Sequence, residues 1–382
     1  MKVLFLTPWY PDEHNPNHGV FVRDQALTIQ QAHEVRVVSG KINYAVFGFS
    51  SLTRYDSSYQ GLKESRISVK KSLPVINQFN FFLRIALETL KIARDFKPDI
   101  IHGNIGYPGA FWAWIMSTLL KIPYVVTEHT RITNNFRSFV HRQLTLFGLR
   151  RARQIIAVSR WHADEIFGIV GKKPLVIHNV INFEKFPELP PSPGTARFQI
   201  GFLGYMETPV KGLDILLRAV ASLSADFVLH IGGKGMLLEE YKRMAGTLGV
   251  SHKCRFYGAV MNEEVPAFMS KLHFLVSASR SETFGIAMVE ALACGLPVVA
   301  TDNGGSREFI NSENGLIVPV DDPEQLSGAI AAMMKNYSRY NRELIRKDIM
   351  QKFSREVFLR KINEVYAAAR ERLPEPKKRK YL

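Results

Sequence analysis

Short apolar runs alternate with amphipathic helical stretches along nearly the whole 382-residue chain, and a proline-rich segment splits the pattern in two. Ahead of that segment the runs are Val3–Leu6, Val35–Val38, Ile100–His102, Tyr124–Thr127, Ile155–Val158 and Val176–His178. Behind it come Gln199–Leu203, Phe227–Ile231, Arg255–Tyr257, Phe274–Ser277, Val298–Ala300 and Leu316–Val318. Helices such as Val20–Gln31, Phe82–Phe96 and Leu213–Leu223 separate them. Strands joined through helices pair in parallel, because each crossover returns the chain to the same end of the sheet. The alternation therefore predicts an α/β protein with two parallel, helix-covered sheets. The divider, Pro187 to Gly194, excludes helix and central strand, since each proline lacks an N–H and fixes φ. A chain of this length also exceeds one ordinary core. We expect domains at residues 1–186 and 187–353, a last helix over about 354–373 that packs back on the first domain, and a basic tail at 374–382. Ligands in such folds bind beyond the carboxyl ends of the strands, here in the cleft between the domains.

The segment Ser281 to Gly305 carries the most chemistry. Ile286, Val289, Leu292 and Ala293 repeat at helical spacing, Gly295 follows as a terminating residue, and Pro297 opens the next strand. This places Glu282 in a loop at the mouth of a helix and Glu290 about two turns inside it. Free backbone N–H groups at a helix start favour phosphate, and carboxylates beside them accept hydrogen bonds from sugar and ribose hydroxyls. One short element thus offers what a sugar nucleotide requires.

Other segments leave two readings open when taken alone. Gly19, after the first strand, either lets backbone approach a diphosphate or serves an ordinary strand-to-helix turn. His129 follows a buried strand, where it binds a hydroxyl, polarises a reacting centre or is structural. Lys211 is a point cation for phosphate or a solvated lysine. Gly232-Gly233-Lys234-Gly235 resembles a phosphate loop without the full G-x-G-x-x-G spacing. Glu308 caps a turn or binds a hydroxyl.

The net charge of +15 is concentrated in the first half, where residues 1–186 hold 24 Lys and Arg against 13 Asp and Glu. Residues 187–382 hold 26 against 22, and the last eleven residues account for that excess. A basic surface suits anionic lipid, a phosphorylated acceptor or nucleic acid, or simply keeps the chain soluble. No nucleic-acid motif accompanies the charge, so none is expected as partner. Two segments combine basic and apolar residues and suggest peripheral contact with an anionic membrane, the alternative being core packing. One carries Phe136, Phe139, Val140, Leu144 and Phe147 among Arg131, Arg137, Arg142, Arg150, Arg151 and Arg153; the other has Arg66, Lys70 and Lys71 ahead of Phe79, Phe81 and Phe82. The two cysteines, Cys254 and Cys294, suggest neither a disulfide framework nor a zinc site. With no signal peptide and no apolar run of spanning length, a soluble, cytoplasmic protein is expected, possible membrane contact being at the inner face.

Glu282 and Glu290 form an E-x7-E pattern in the context FG…EA.A.G.PVVAT..GG..E, and the chain resembles the retaining glycosyltransferases of family 4, the glycosyl transferases group 1. Lys211-Gly212, Phe256-Tyr257-Gly258, Ser279-x-x-Glu282, Val176-Ile177-His178-Asn179 and Thr127-Glu128-His129 add to the match in order. The resemblance implies the GT-B architecture, two Rossmann-like parallel-sheet domains facing across a cleft. It implies hexose transfer with retention, from a UDP- or GDP-sugar to a glycan or lipid-linked acceptor in surface polysaccharide or glycolipid synthesis. No tightly bound cofactor and no metal are implied. Glu290 would bind the ribose, and Glu282 the sugar near the reacting ring. Lys211 and the N–H groups of Gly285 and Ile286 would hold the diphosphate, and backbone around Gly258 to Val260 would meet the base. From the first domain, Gly19 would approach the diphosphate and His129 the anomeric carbon; catalysis falls to His129 and Glu282.

The chain departs from the family where Tyr205 and Met206 follow Gly204, a place where Arg commonly reaches the diphosphate. Asn179-Val180-Ile181-Asn182 and Ala278-Ser279-Arg280-Ser281-Glu282 also vary on the usual loops. Three other functions fit the same pattern: a sugar-nucleotide epimerase, a phosphorylase, and a catalytically silent sugar-nucleotide-binding module.

Overall fold

A computed structural model describes residues 1–13, 15–47, 52–71, 74–136, 138–186, 194 and 197–371. The prolines of the divider at 187–193, Arg137 and the basic tail at 374–382 lie outside the described residues. The chain forms two compact units, one of Met1–Val180 with Phe358–Leu382 and one of Ile181–Val357.

In the first unit the elements run β1 (Lys2–Thr7), α1 (Val20–Gln30), β2 (Glu34–Phe47), β3 (Leu52–Tyr59), β4 (Leu62–Lys71), α2 (Pro74–Phe96), β5 (Ile100–Asn104), α3 (Phe111–Leu120), β6 (Tyr124–Glu128), α4 (Phe139–Arg151), β7 (Gln154–Ala157), α5 (Arg160–Val170) and β8 (Leu175–Val176). They form one eight-stranded sheet in the order β3-β4-β2-β1-β5-β6-β7-β8. All pairs are parallel except β3 with β4. This hairpin is absent from the strands expected above, and it adds one antiparallel edge to the expected parallel sheet. Its cause is local. Gln60 and Gly61 both adopt positive φ, 50° and 79°, and link Tyr59 to its partner Leu62. Two such residues make the tight turn whose twist matches a hairpin. The strand β3, LTRYDSSY, is mostly exposed, so its polar sequence carries no apolar alternation to betray it. The switch in strand order lies between β1 and β5, which puts the loop after β1 beside the end of β5.

The second unit holds β9 (Phe198–Leu203), α6 (Leu213–Ala221), β10 (Phe227–Gly232), α7 (Leu238–Thr247), β11 (Cys254–Gly258), α8 (Val265–Met269), β12 (Phe274–Ser277), α9 (Ile286–Ala293), β13 (Val298–Thr301), β14 (Gly315–Val318), α10 (Pro323–Lys335) and α11 (Arg342–Phe353), and α12 (Arg355–Glu371) begins at its end. Its six strands are all parallel, ordered β11-β10-β9-β12-β13-β14. The order reverses between β9 and β12, so the loops leaving those two strands meet at the crevice where doubly wound sheets bind ligands. Phe227, Phe274, Leu216 and Ile330 are fully or almost fully buried in its core.

The last helix crosses the dividing point. Phe358, Ile362, Val365, Tyr366 and Ala369 on α12 join Val3, Phe5, Ile29 and Ile100 in the first unit's core. Tyr366 Oη lies 2.6 Å from His102 Nδ1, whose Nε2 lies 2.7 Å from Thr127 Oγ1. Full burial pushes the His102 imidazole down to about 3, which keeps it neutral in this chain of bonds. The packing of α12 follows from its apolar spacing at i, i+4, i+7 and i+8, a stripe with one buried face.

Candidate active site

In the second unit, the loop after β9 passes through a 3-10 turn, Pro209–Lys211, and enters α6 at Gly212. Gly212 has φ of 68°, and a Cβ there would fall 1.9 Å from the Ala278 carbonyl oxygen. Only glycine permits this approach, which presses the Lys211 turn against the segment leaving β12. As a result Lys211 Nζ donates to Glu282 Oε1 at 2.6 Å. Ser279 Oγ donates to the same oxygen at 2.8 Å. Glu282 is also held through its backbone, its N–H bonding Asn303 O at 2.8 Å and its carbonyl accepting from Gly305 N at 3.0 Å. The carboxylate therefore stands on a fixed backbone rather than on a free loop.

Beyond it, Phe284 is buried against Phe309 and Phe353, with ring centroids 5.6 Å away in each case. That anchor sets the start of α9. Gly285 caps the helix with φ of 95°, and no side chain caps it. The N–H groups of the first turn are the anion-favouring end of the helix dipole. Glu290, half-buried, is the fifth residue of this eight-residue helix. It thus lies just over one turn inside, not about two: the helix starts at Ile286, as the spacing predicts, and five residues at about 3.6 per turn make little more than one turn. Gly295 follows the helix with φ of 69°, as its terminating role requires.

Three further loops end at the same edge of the sheet. Gly258, φ 69°, closes β11, with Val260 half-buried just beyond. Gly233 and Gly235, φ 144° and 151°, follow β10 and pack on the backbone of residues 204–207. Asn303 to Gly305 follow β13, where Asn303 Oδ1 accepts from Ser306 N at 3.1 Å. Glu308 ends a 3-10 turn there. Arg280, next to Ser279, is committed elsewhere: it grips Asp214 with two bonds of 3.0 and 2.8 Å and Asp321 at 2.7 Å. These acids hold its guanidinium well above its ordinary pKa, the Asp214 hydrogen bonds contributing most.

In the first unit, Gly19 opens α1 with φ of 70°, and a Cβ there would lie 2.6 Å from the Trp9 carbonyl. Two residues on, the Phe21 ring sits 4.8 Å from that of His129. His129 Nε2 lies 3.1 Å from Asn104 Oδ1 at the end of β5, and the Asn179 side chain bonds the same imidazole. Burial drives its pKa down to about 3, so the ring is neutral at physiological pH. Its neighbour Glu128 is fully buried. One of its oxygens accepts from His129 N, Thr130 N and Thr130 Oγ1, each at 3.0 Å, and the other from Gly106 N at 2.5 Å. These bonds favour the carboxylate, but desolvation outweighs them and pushes it up to about 7. The sequence pointed to His129; Asn179 entered only as part of the Val176–Asn179 match with no role at this imidazole, and Asn104 had no signal beyond a polar residue ending an apolar strand.

The basic and apolar segments divide on inspection. Phe81 and Phe82 are core residues. Arg66 bonds Glu64 at 2.7 Å and the Pro11 carbonyl at 3.1 Å, so it belongs to an internal network and not to an open basic face. Phe136, Leu144 and Phe147 are half-buried, the first two packing on the core and the third under the Arg151 guanidinium at 3.7 Å. Phe79, Phe139 and Val140 remain exposed. No described helix is long and apolar enough to cross a membrane.

Two family models divide this chain much as its two units do. Residues 18–185 match the model described as Glycosyltransferase Family 4, and residues 194–348 match Glycosyl transferases group 1. An uncharacterised glycosyltransferase of Methanocaldococcus jannaschii is 30% identical over 273 residues, covering 70% of this chain and 75% of that one. The chain belongs to the group 1 glycosyltransferases. Within that family, a putative teichuronic acid biosynthesis glycosyltransferase of Bacillus subtilis is 25% identical over 378 residues, 91% of each chain. The fold of this group 1 glycosyltransferase is GT-B. Anabaena HepE in complex with UDP and glucose superposes with a TM-score of 0.75 at 18% identity, covering 96% of this chain and all of that one.

Proposed function

We propose that this glycosyltransferase moves a hexose from a nucleoside-diphosphate sugar to a hydroxyl of a glycan or lipid-linked acceptor, with retention, in surface polysaccharide or glycolipid synthesis. The observation that carries the reading is the Lys211–Glu282 pair at the point of strand reversal, ahead of the uncapped start of α9. The teichuronic acid assignment of the Bacillus subtilis relative and the UDP and glucose of the Anabaena structure support the acceptor and donor classes. In this reading Glu290 binds the ribose hydroxyls, Lys211 with the N–H groups of Gly285 and Ile286 binds the diphosphate, and backbone at Gly258 and Val260 meets the base. The same reading gives Gly19 to the diphosphate and His129 to the sugar.

The C1–O bond to the diphosphate breaks as the acceptor oxygen bonds C1 on the same face, and the acceptor's proton passes to the departing phosphate oxygen. Charge developing on that phosphate is met by fixed groups, Lys211 and the helix dipole. Glu282 is poorly placed to act as nucleophile, because its Oε1 already accepts from Lys211 and Ser279. Its role is to orient sugar hydroxyls and to hold Lys211. Titration calorimetry with UDP and GDP tests the assignment of Glu290. Glu290→Ala is expected to weaken the nucleotide that binds by about 10- to 100-fold, the loss of charge-assisted bonds to two hydroxyls. Unchanged affinity would remove Glu290 from the ribose.

The acceptor reading extends to peripheral membrane contact. Phe79, Leu83 and Leu87 are exposed on successive turns of α2, and Phe139 and Val140 are exposed at the start of α4. Gln78 Nε2 lies 3.2 Å from His141 Nε2, so the two apolar sets adjoin, with Arg142 exposed beside them. Apolar side chains ringed by cations suit an anionic lipid surface. Vesicles containing anionic phospholipid should co-sediment the protein, neutral vesicles much less, and Phe79→Glu with Leu83→Glu should abolish the difference. Equal recovery with both vesicle types would refute the contact.

A further inference from the structure

A diphosphate bound at this site needs cationic partners, and the cations around it differ in how far acids already occupy them. Arg280 is held by two carboxylates, Asp214 and Asp321. Lys211 is held by one, Glu282. Lys234, in the glycine loop after β10, is exposed, and among the described residues no acid pairs with it, Glu207 on the facing loop included.

Backbone geometry ties Lys234 to the Lys211 turn through one shared residue. A Cβ on Gly204 would lie 3.2 Å from Lys211 Cγ, so the lysine stem runs along one side of Gly204. A Cβ on Gly233 would fall 1.9 Å from the carbonyl oxygen of the same Gly204. A Cβ on Gly235 would fall 2.2 Å from the Met206 carbonyl carbon. Between those two glycines, the carbonyl of Lys234 accepts from Met206 N at 2.8 Å. The φ values of 144° and 151° at Gly233 and Gly235 are open to glycine and strained for other residues, and they let the loop lie flat on residues 204–207. Lys234 is the one side chain in the middle of this close-packed turn that carries charge.

We infer that Lys234 is a second diphosphate-binding cation of the donor site, complementing Lys211 from the neighbouring loop that packs on Gly204. The inference rests on the donor reading above. Position 205, held between Gly204 and Met206, flanks the same place, and here it is an exposed tyrosine, which brings no charge. Lys234 brings the charge from the neighbouring loop. A long flexible stem with three donors can follow a phosphate that differs in pose between substrate and product.

The test uses the full-length protein, UDP, GDP and the corresponding nucleosides as probes in calorimetry. Lys234→Gln is expected to weaken the diphosphate that binds about tenfold and to leave the nucleoside unchanged, since only the phosphate contact is lost. Lys234→Arg should keep most of the affinity. Tyr205→Arg added to Lys234→Gln should restore it, which a merely structural defect would not allow. The salt dependence of diphosphate binding should flatten in Lys234→Gln. If wild type binds a diphosphate and Lys234→Gln binds it equally well, the inference is wrong while the donor reading stands. If wild type binds neither UDP nor GDP, both fall together.

Discussion

Lys211→Ala is expected to lower kcat/KM for sugar transfer by on the order of 100- to 1,000-fold, the usual cost of removing a fixed donor aimed at developing charge. Two effects act together. In the proposed mechanism, the variant loses the cation that meets the departing diphosphate. It also releases the Glu282 carboxylate, held by Lys211 Nζ at 2.6 Å, to point its charge at the phosphate. A second change separates them. If the freed carboxylate contributes repulsion, Lys211→Ala with Glu282→Gln should be less impaired than the product of the two single losses predicts. The pair is in direct contact, so such coupling is the expected case. Steady-state transfer assays on the four proteins of this cycle measure it. A Lys211→Ala enzyme within threefold of wild type would exclude this lysine from the transition state.

His129→Ala is the second large effect, with kcat down by roughly 100-fold or more and a smaller change in donor affinity. The ring is 6% exposed and wedged between Phe21 and Asn104, so truncation to alanine also leaves a cavity. His129→Asn keeps polar atoms in that place and serves as the control for folding. The pH profile distinguishes the roles. With its pKa near 3, the imidazole is already neutral at pH 6.5, and lowering the pH from 8 to 5 does not charge it. It therefore contributes no limb near the ordinary histidine pKa, and it acts as a neutral hydrogen-bonding group. A limb near 6.5 that disappears in His129→Asn would show that the imidazole titrates and would overturn this role. A limb near 7 that persists in His129→Asn and disappears in Glu128→Gln belongs to Glu128, whose carboxyl burial pushes up to about 7.

Much of this protein was legible before any coordinates. Apolar runs such as Val298–Ala300 and Phe274–Ser277 became central strands because a strand buried on both faces needs an unbroken apolar sequence. The edge hairpin of β3 and β4 was not, since a strand exposed to solvent reads as polar loop. Arg66 looked like part of a basic patch although Glu64 stands two residues before it; what the sequence does not show is that the two side chains bond on one face of β4 while the Pro11 carbonyl, 55 residues away, accepts from the same guanidinium. The E-x7-E spacing placed two acids around one helix start, and α9 begins at Ile286 as that spacing predicts; its fifth residue, Glu290, stands just over one turn inside rather than two, because a turn takes about 3.6 residues.

By itself, the sequence determined the two α/β halves, the helix start with an acid on either side of it, and the family. These features are local: helical and strand periodicity, glycines at turns and a contiguous motif all lie within a few residues of one another. Tertiary structure alone decided which charges meet. Lys211 and Glu282 are 71 residues apart, as many as separate Pro209 from Arg280, and they touch because strand order places β9 beside β12. The same order commits Arg280 to Asp214 and Asp321 and leaves Lys234 without an acid among the described residues. An ion pair needs atoms within about 4 Å, and a distance between remote residues is set by how sheets are wound, which no local pattern encodes.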